Sequence, residues 1–373
     1  MTSRIVWFLI LIALLAGFSL PRAEYGKLDS AREVTLPRDH YAHQEFRTEW
    51  WYFNGFLGES SDPEYAFHLA FFVRRTESDL ILNMLPIRWL ANPVHLAHFS
   101  LIDLSNGEVL TAQKRNRDHQ QLGGSAGASS DKVNVWNEDW HYREENGEIL
   151  IEVADSQFAL SLTLNDTKPA VLHGDAGIFV KAEYEGKLRG SYYISRPRLS
   201  GVGSLQINGR NLGVRSQVWM DHEFGSYHLA PEQTGWNWFS LMFDDNSELV
   251  LYLLKDKNGS LSKRSIGTWV NPDGTTRSLS FSDIKTHASI HWQSAKTGTN
   301  YPVAWQVSIE PLDLQFEIDA IVHDLEFDSA KSTRVTYWEG PVTFTGEKAG
   351  MPVKGYGFQE LTGNLKPLTE LSH

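Results

Sequence analysis

The sequence predicts an all-β protein, built as a barrel or a sandwich. Residues 149–165 alternate apolar and polar side chains on both sides of a short polar break, as a β-hairpin does. An Asn-Gly pair at 258–259 and an Asp-Gly pair at 273–274 mark turns between β-rich runs. Sustained helical periodicity is rare, and the best helical candidates, 83–97 and 282–289, are short or interrupted by proline.

Length and composition narrow the range of functions. The chain has 373 residues, enough for two domains or one large one, and 41% of them are hydrophobic, which is enough for a substantial core. The net charge of −12 argues against a nucleic-acid partner, because a phosphate binder needs a basic face. The chain contains no cysteine, which excludes a disulfide framework, a thiol nucleophile and thiolate metal ligands.

The N-terminus predicts export. An apolar run at 5–20 follows Arg4 and is short for a membrane span, so we interpret residues 1–23 as a secretory signal peptide. An uncleaved N-terminal anchor is the alternative. The protein is therefore expected in the periplasm or outside the cell. If the segment is not cleaved, it would tether the protein to the inner membrane. Membrane association is expected only through an uncleaved segment or through the membrane as a source of lipid.

Two segments echo each other half a chain apart. EWWYFNGFL at 49–57 and GWNWFSLMF at 235–243 share an aromatic pattern at an offset of 186 positions. Each precedes a second apolar run, as expected for a repeated unit. We therefore predict two similar β-domains, at 24–227 and 228–373; a chance likeness of two aromatic strands is the alternative.

The small-residue segment 123–130 contains a G-x-S-x-G sequence around Ser125. A nucleophile elbow needs a strand before this motif and a helix after it. The polar run before Ser125 and the further Gly and Ser residues after it do not provide that context. We predict an exposed loop and no catalytic role for Ser125.

The segment QVWMDHEFGSY, at 217–227, places an acid, a histidine and a second acid side by side. On a strand, alternation puts Trp219, Asp221 and Glu223 on one face and His222 on the other. The cluster is then either an ion-paired clamp between the domains or an acid–base group that lines a cavity. Because adjacent strand residues cannot all face one ion, no metal site is predicted.

Burial of these groups requires partners, and the expected ones are Arg196, Arg198, Arg215 and Tyr337. Polar groups beside large rings recur along the chain, as they would at the mouth of a barrel that binds an apolar ligand. Ordinary barrel strands with buried Tyr and Trp would give the same pattern. The predicted ligand-binding residues are Trp50, Trp51, Tyr52, Tyr193, Trp219, Trp236, Trp238, Tyr337 and Trp338.

Several motifs in order along the chain resemble one family. EWWYFNG at 49–55, LHGDAGIFVK at 172–181, WMDHEFG at 219–225 and the long C-terminal segment 337–363 are similar to the bacterial AttH-like secreted lipocalin proteins. That family includes the carotenoid 1,2-hydratases. The chain departs from the usual pattern at 192–199, where it has YYISRPRL in place of Tyr-Tyr-Ser followed by Thr-Arg-Leu.

The resemblance implies two lipocalin-like (calycin) antiparallel β-barrels in tandem, and export. The hydratase members add water to an isolated double bond of a long terpenoid, without a cofactor or a metal. We therefore expect either a carrier that binds an apolar, unsaturated lipid or terpenoid, or a hydratase or isomerase. In the enzyme, Asp221 or Glu223 would be the acid and His222 the base that orients water. A carboxylate that reaches into the cavity would distinguish the enzyme from the carrier.

Overall fold

The computed structural model describes residues 25–59, 62–75, 93–117, 124–329, 332–333 and 335–368. Within these ranges the chain forms 23 β-strands, a few single-turn 3-10 helices and no α-helix. No helix in the described part of the chain has both the length and the hydropathy needed to span a membrane. The predicted signal segment lies outside the described residues.

The strands follow one another along the chain and form two separate sheets. Those of the first sheet are β1 (Thr48–Glu59), β2 (Asp62–Arg74), β3 (Val94–Asp103), β4 (Val109–Arg117), β5 (Ala126–Ala128), β6 (Asn134–Asn137), β7 (Trp140–Glu145), β8 (Glu148–Ala154), β9 (Phe158–Asp166), β10 (Val171–Leu172), β11 (Ile178–Tyr184), β12 (Lys187–Ile207) and β13 (Arg210–Gly225). Those of the second are β14 (Gln233–Phe243), β15 (Glu248–Asp256), β16 (Ile266–Val270), β17 (Thr276–Ser280), β18 (Ile284–Gln293), β19 (Asn300–Ile309), β20 (Leu314–Ala320), β21 (Glu326–Asp328), β22 (Thr336–Lys348) and β23 (Met351–Leu361).

Both sheets are antiparallel and strongly curved. The first has the order β4-β3-β2-β1-β13-β12-β9-β8-β7-β6-β5 and is a nearly closed barrel. The second has the order β17-β16-β15-β14-β23-β22-β20-β19-β18 and is a half-barrel. The predicted all-β class with two barrel-like units in tandem is confirmed in this form.

The internal echo corresponds to equivalent strands. β1 lies between its successor β2 and the last strand of its sheet, β13, and β14 lies in the same way between β15 and β23. The register is also equivalent, because Tyr52 of β1 is opposite Asp221, and Trp238 of β14 is opposite Glu360. In the sequence alignment Tyr52 and Trp238 occupy the same position. The two sheets are therefore copies of one strand plan.

The sheets pack against each other through a shared aromatic core. The largest cluster of buried side chains combines residues of the first sheet, such as Tyr52 and Trp219, with much of the interior of the second. Trp238 makes edge-on ring contacts with Tyr52, at 5.3 Å between centroids, and with Trp219, at 6.4 Å. A second cluster, around Phe53 and Tyr142, fills the first barrel itself. The face of β13 that carries Trp219 is thus covered by the second sheet.

Local predictions fared unevenly. The hairpin at 149–165 is confirmed as β8 and β9, and the glycines of both predicted turns, Gly259 and Gly274, have positive φ. The helical candidate at 282–289 does not form an α-helix, because most of it belongs to strand β18, whose side chains alternate in exposure. Of the other helical candidate, only the last residues lie in the described part, and they begin strand β3.

Candidate active site between the sheets

A cavity of about 340 Å³ lies between the two sheets. Its walls come from β1, β2, β3 and β13 on one side and from β14, β15, β22 and β23 on the other. The partly exposed residues Thr333, Val335, Thr336 and Leu365 and the exposed Lys366 also line it and form its rim. The volume lies at the lower end of the range for small-molecule sites, which is roughly 300–1,000 Å³.

The wall combines large rings with carboxyl groups. The aromatic lining residues used below are Trp50, Tyr52, Trp236, Trp238, Tyr252 and Tyr337. The carboxyl groups are Asp221, Glu223, Glu339 and Glu360. Four acids in one largely apolar cavity are costly unless they are paired or protonated, so the environment of each is decisive.

The acid–histidine–acid segment alternates as predicted. Asp221 and Glu223 of β13 both line the cavity, whereas His222 faces the interior of the first sheet, where its ring packs against Trp51. All three side chains of the triplet are buried. The acids are buried because the second sheet covers their face of β13.

Asp221 is held by three hydrogen-bond donors. Tyr193 Oη donates to its Oδ2 at 2.7 Å, Trp219 Nε1 donates to its Oδ1 at 2.6 Å, and Ser195 Oγ also donates to Oδ1. Trp238 Nε1 in turn donates to Tyr193 Oη at 2.9 Å. Burial nevertheless raises the pKa of Asp221 to about 7, because the three donors only partly offset the loss of water. A substantial share of this carboxyl group therefore carries a proton at neutral pH.

Glu223, two residues further along β13, has the opposite environment. Its Oε1 pairs with the ammonium of the fully buried Lys181, accepts a hydrogen bond from Ser191 Oγ at 2.5 Å, and lies 3.4 Å from His228 Nδ1. Burial alone would raise the pKa of Glu223, but Lys181 and His228 outweigh it and hold the pKa at about 2. Lys181 Nζ also donates to Tyr252 Oη at 3.1 Å. Glu223 is thus an anion with a matched counter-ion.

Asp221 and Glu223 therefore differ in protonation although both line one cavity. Their environments separate the two pKa values by about five units. Such a separation is the usual sign that one carboxyl group can act as an acid while its neighbour stays ionised.

The second sheet contributes two further carboxyl groups, which the sequence reasoning missed. Glu339 of β22 and Glu360 of β23 are directly opposite each other in the strand pairing. Burial, with the nearby Glu360, raises the pKa of Glu339 well above its usual range, and Tyr52 Oη donates to its Oε1. Burial also raises the pKa of Glu360 to about 7, although Trp236 Nε1 donates to its Oε2 at 2.8 Å.

The sequence contained a signal for Glu339 but none for Glu360. Glu339 lies in TYWEGPV (336–342), which stood out as one of the polar-aromatic clusters. Glu360 can be recognised as the equivalent of Asp221 only when the cross-strand partner of Trp238 is known. This equivalence depends on the register of β14 and β23.

His222 belongs to a different network. Its Nε2 lies 2.9 Å from Glu49 Oε1, and the same oxygen lies 2.8 Å from His43 Nδ1. His43 Nε2 lies 3.1 Å from Asp39 Oδ1. Because His222 does not reach the cavity, it cannot orient water there, and the expected role as a base is not supported by its position.

The same three residues, His43, Glu49 and His222, are close enough to hold a metal ion, since one ligand atom of each lies within 4.8 Å of the others. The nitrogen–oxygen separations are those of hydrogen bonds. Burial would lower the pKa of His43, but hydrogen bonds to Asp39 and Glu49 outweigh it and raise that pKa. We therefore interpret the cluster as a charged hydrogen-bond network that ties the segment before β1 to the first sheet.

The remaining predicted ligand-binding residues lie behind the wall. Tyr193 and Trp219 contact Asp221, Trp51 packs in the first barrel, and Trp338 donates through Nε1 to the carbonyl of His323 at 2.6 Å. They are buried supports of the cavity, not part of its surface.

Three of the four residues expected as partners of the triplet pair with other groups. Arg196 pairs with Asp166 and Glu144, Arg198 with Glu248, and Tyr337 with His98, while Arg215 is exposed. The expectation of arginine partners was wrong, because β12 supplies hydroxyl groups, β13 itself supplies the indole of Trp219, and β11 supplies the ammonium group of Lys181.

Ser125 is exposed, as predicted, and among the described residues its side chain makes no hydrogen bond to a histidine. The prediction of a loop around it is only partly right, because Ala126–Ala128 forms the short strand β5.

Comparison with known proteins adds a chemical context. The AttH-like family model matches residues 27–364. In sequence, the chain is 24% identical to kievitone hydratase of Fusarium solani subsp. phaseoli over 213 residues, 56% of this chain and 57% of that protein. It is 21% identical to dehydratase asqC of Emericella nidulans over 218 residues, 57% of this chain and 60% of that protein. These alignments therefore span less than two thirds of both relatives.

The structural matches cover more of the chain. An AttH-type protein of Nitrosomonas europaea superposes with a TM-score of 0.80 at 29% identity, over 91% of this chain and 100% of that one. Kievitone hydratase of Nectria haematococca superposes with a TM-score of 0.66 at 17% identity, over 92% and 96% of the two chains, and this second likeness concerns the fold alone.

Proposed function

The chain belongs to the AttH-like family, and we propose that it is a hydratase- or dehydratase-type enzyme that acts on an unsaturated molecule bound between the sheets. Asp221 is the general acid. One observation carries the proposal: a buried carboxyl group that holds a proton near neutral pH lines a cavity walled by indole and phenol rings. The names of the two curated relatives, a hydratase and a dehydratase, support the reaction class.

Hydration of an isolated alkene makes three demands on a site. An alkene is a weak base, so a protonated acid must be held in an apolar place, and the carboxyl group of Asp221 meets this demand. The carbocation that forms needs negative charge or ring faces nearby, which Glu223 and the rings of Trp236 and Trp238 provide. Water must then reach the cation inside the cavity.

The proton count closes without an added reactant. The Asp221 proton forms the new C–H bond, and the alkene electrons leave a cationic carbon. Water oxygen bonds to that carbon, and the proton that it loses returns to the Asp221 carboxylate, which regenerates the acid. In the dehydration direction the same groups act in reverse, so the carboxyl group protonates the leaving hydroxyl.

The ligand itself is proposed to be apolar and unsaturated, because most of the cavity wall is aromatic or aliphatic. A carrier that binds such a molecule unchanged would need only rings and one polar anchor. The several carboxyl groups in this cavity exceed that need and favour the enzyme. Export remains a proposal from the apolar run at 5–20.

The test is turnover in ¹⁸O-labelled water with two probes, kievitone and the isoprenoid alcohol farnesol, both scored by mass spectrometry. The proposal expects addition of one labelled water to at least one probe. Asp221→Asn should lower kcat by about 10²–10⁴-fold, as the loss of a general acid does. Asp319→Asn, at an exposed position of β20, is the control and should leave kcat unchanged. Binding of both probes without any turnover by the wild-type protein would favour the carrier.

A further inference from the structure

The two glutamates of the second sheet cannot both be ionised. Glu339 and Glu360 are paired directly across β22 and β23, which places the Cβ atoms of such a pair about 4.5–5.5 Å apart. Both face the cavity, where Glu339 is buried and Glu360 keeps partial accessibility. Burial and the charge of Glu360 together raise the pKa of Glu339 well above its usual range, so at least one carboxyl group of the pair keeps its proton.

Basic groups offset this pair only in part. His68 Nε2 lies 3.5 Å from Glu339 Oε2, but burial lowers the pKa of His68 to about 3, so its ring is neutral. Lys181 and Lys255 lower the pKa of Glu360, but burial outweighs them. Lys181, the buried ammonium group next to the cavity, is already paired with Glu223. Lys255 is not part of the cavity wall, and its Nζ donates to Asn364 Oδ1 at 2.5 Å. Of the basic residues that do line the cavity, His98 is neutral because burial lowers its pKa to about 3, and Arg74 and Lys366 are at the partly exposed end of β2 and at the rim.

Each glutamate is also fixed in place by a neutral donor. Tyr52 Oη donates to Glu339 Oε1, and Trp236 Nε1 donates to Glu360 Oε2. These contacts orient the pair, and both residues still contribute to the cavity surface. The pair therefore offers a ligand one O–H donor and carboxyl oxygens that accept, at a fixed place.

We propose that Glu339 and Glu360 form a subsite that binds a neutral oxygen of the ligand, a hydroxyl or carbonyl group, and that discriminates against carboxylate ligands. This inference rests on the proposed function only in taking the cavity as the ligand site; it does not require that any reaction occurs. It gives the substrate class: a neutral, oxygen-bearing, largely apolar molecule, in contrast to a fatty acid.

Three ligand types on one skeleton would meet this subsite differently. A hydroxyl group accepts from the protonated carboxyl and donates to its neighbour, so every polar group is satisfied. A hydrocarbon leaves the buried O–H without a partner. A carboxylate adds another negative charge beside the two glutamates, and Lys181, the buried ammonium group next to the cavity, is already paired with Glu223.

The test is a binding comparison of farnesene, farnesol and farnesoic acid at pH 8, followed by quenching of tryptophan fluorescence and checked by calorimetry. We expect farnesol to bind about tenfold more tightly than farnesoate, a difference of about 1.4 kcal/mol. Farnesene should bind several-fold more weakly than farnesol. Glu360→Gln keeps the shape and removes the ionisable group, so it should tighten farnesoate binding several-fold and change farnesol binding much less.

Glu326→Gln is the matched control. Glu326 is a buried glutamate of the same sheet, bonded to Ser294, Thr297 and Tyr301, and it does not line the cavity. This variant should leave the order of the three affinities unchanged.

Two results would overturn the subsite. The first is binding of farnesoate that is as tight as the binding of farnesol, which would place the carboxylate at the rim beside Lys366. Failure of all three probes to bind would reject the ligand class. The outcomes separate this inference from the enzyme: discrimination without turnover contradicts only the enzymatic proposal, and turnover without discrimination contradicts only the subsite.

Discussion

Asp221 and Glu360 occupy the same position in the two sheets. Each lies on the last strand of its sheet, opposite the aromatic residue that the internal alignment equates, Tyr52 in one case and Trp238 in the other. Each accepts a hydrogen bond from an indole N–H, of Trp219 and of Trp236 respectively, and each lines the same cavity. The same strand arrangement, present in both sheets, therefore supplies two equivalent carboxyl groups, each of which faces the opposite sheet. Burial raises the pKa of both to about 7.

The first prediction concerns stability against pH in Asp221→Asn. The folded-state pKa of Asp221, about 7, lies above the value of 3.8 that the carboxyl group has in an unfolded chain, so between these pH values the folded state binds more protons than the unfolded state. The contribution of this carboxyl group to stability is therefore present below about pH 4 and is lost as pH rises to about 7. Relative to wild type, Asp221→Asn should gain stability between pH 4 and pH 8, by an amount on the order of 4 kcal/mol.

Urea unfolding at a series of pH values measures this difference, and the wild-type reference removes the opposite contributions of Glu49 and Glu223. Glu360→Gln should show the same sign for the same reason. An Asp221→Asn curve that runs parallel to wild type over this range would show that the folded-state pKa of Asp221 is not raised.

The second prediction concerns His222 and tests whether it acts in the cavity or in the core. His222→Ala removes the contact with Glu49 and the packing against Trp51, so it should destabilise the protein by roughly 1–3 kcal/mol. Because the side chain faces away from the cavity, the affinity for farnesol should stay within twofold of wild type, about 0.4 kcal/mol. Denaturant unfolding and fluorescence titration measure the two effects. Unchanged stability with lost turnover would return His222 to the catalytic role expected from sequence.

Asp221 and His222 show how much of the site could be predicted from the sequence. Alternation along β13 correctly separated His222 from Asp221 and Glu223, because side-chain direction on a strand depends only on local periodicity. The covering of the Asp221 face by the second sheet is a tertiary event, so the sequence left open whether the acids form a clamp between the domains or line a cavity, and the structure places both acids in the cavity wall. Glu360 is 139 positions beyond Asp221 in sequence, and only the strand register brings it to the equivalent place.

The third prediction concerns Ser125. Its exposed side chain and the lack of a hydrogen-bonded histidine among the described residues leave no means of activating the hydroxyl. Ser125→Ala should therefore leave stability and any turnover unchanged within error. A fluorophosphonate probe followed by peptide mapping provides the direct check, and labelling at Ser125 would revive a serine-hydrolase activity.

The last prediction concerns the buried ion pair of Lys181 and Glu223. Lys181→Met keeps most of the side-chain volume but leaves Glu223 buried without its counter-ion, beside Tyr252 and the indole of Trp236. Such a loss should destabilise the protein by about 3–5 kcal/mol, because the carboxylate must either stay charged and unpaired or take up a proton. The pKa of Glu223 should rise from about 2, since burial would then act with much less opposition.

The double variant Lys181→Met with Glu223→Gln removes both charges and should recover most of the lost stability, which a double-mutant cycle in urea measures as a coupling energy. In turnover the pair gives a second readout: if the ionised Glu223 stabilises a carbocation, the double variant should be stable and yet show a lower kcat with little change in KM. A double variant as unstable as Lys181→Met alone would contradict the ion pair, and a stable one with wild-type kcat would confine Glu223 to a structural role.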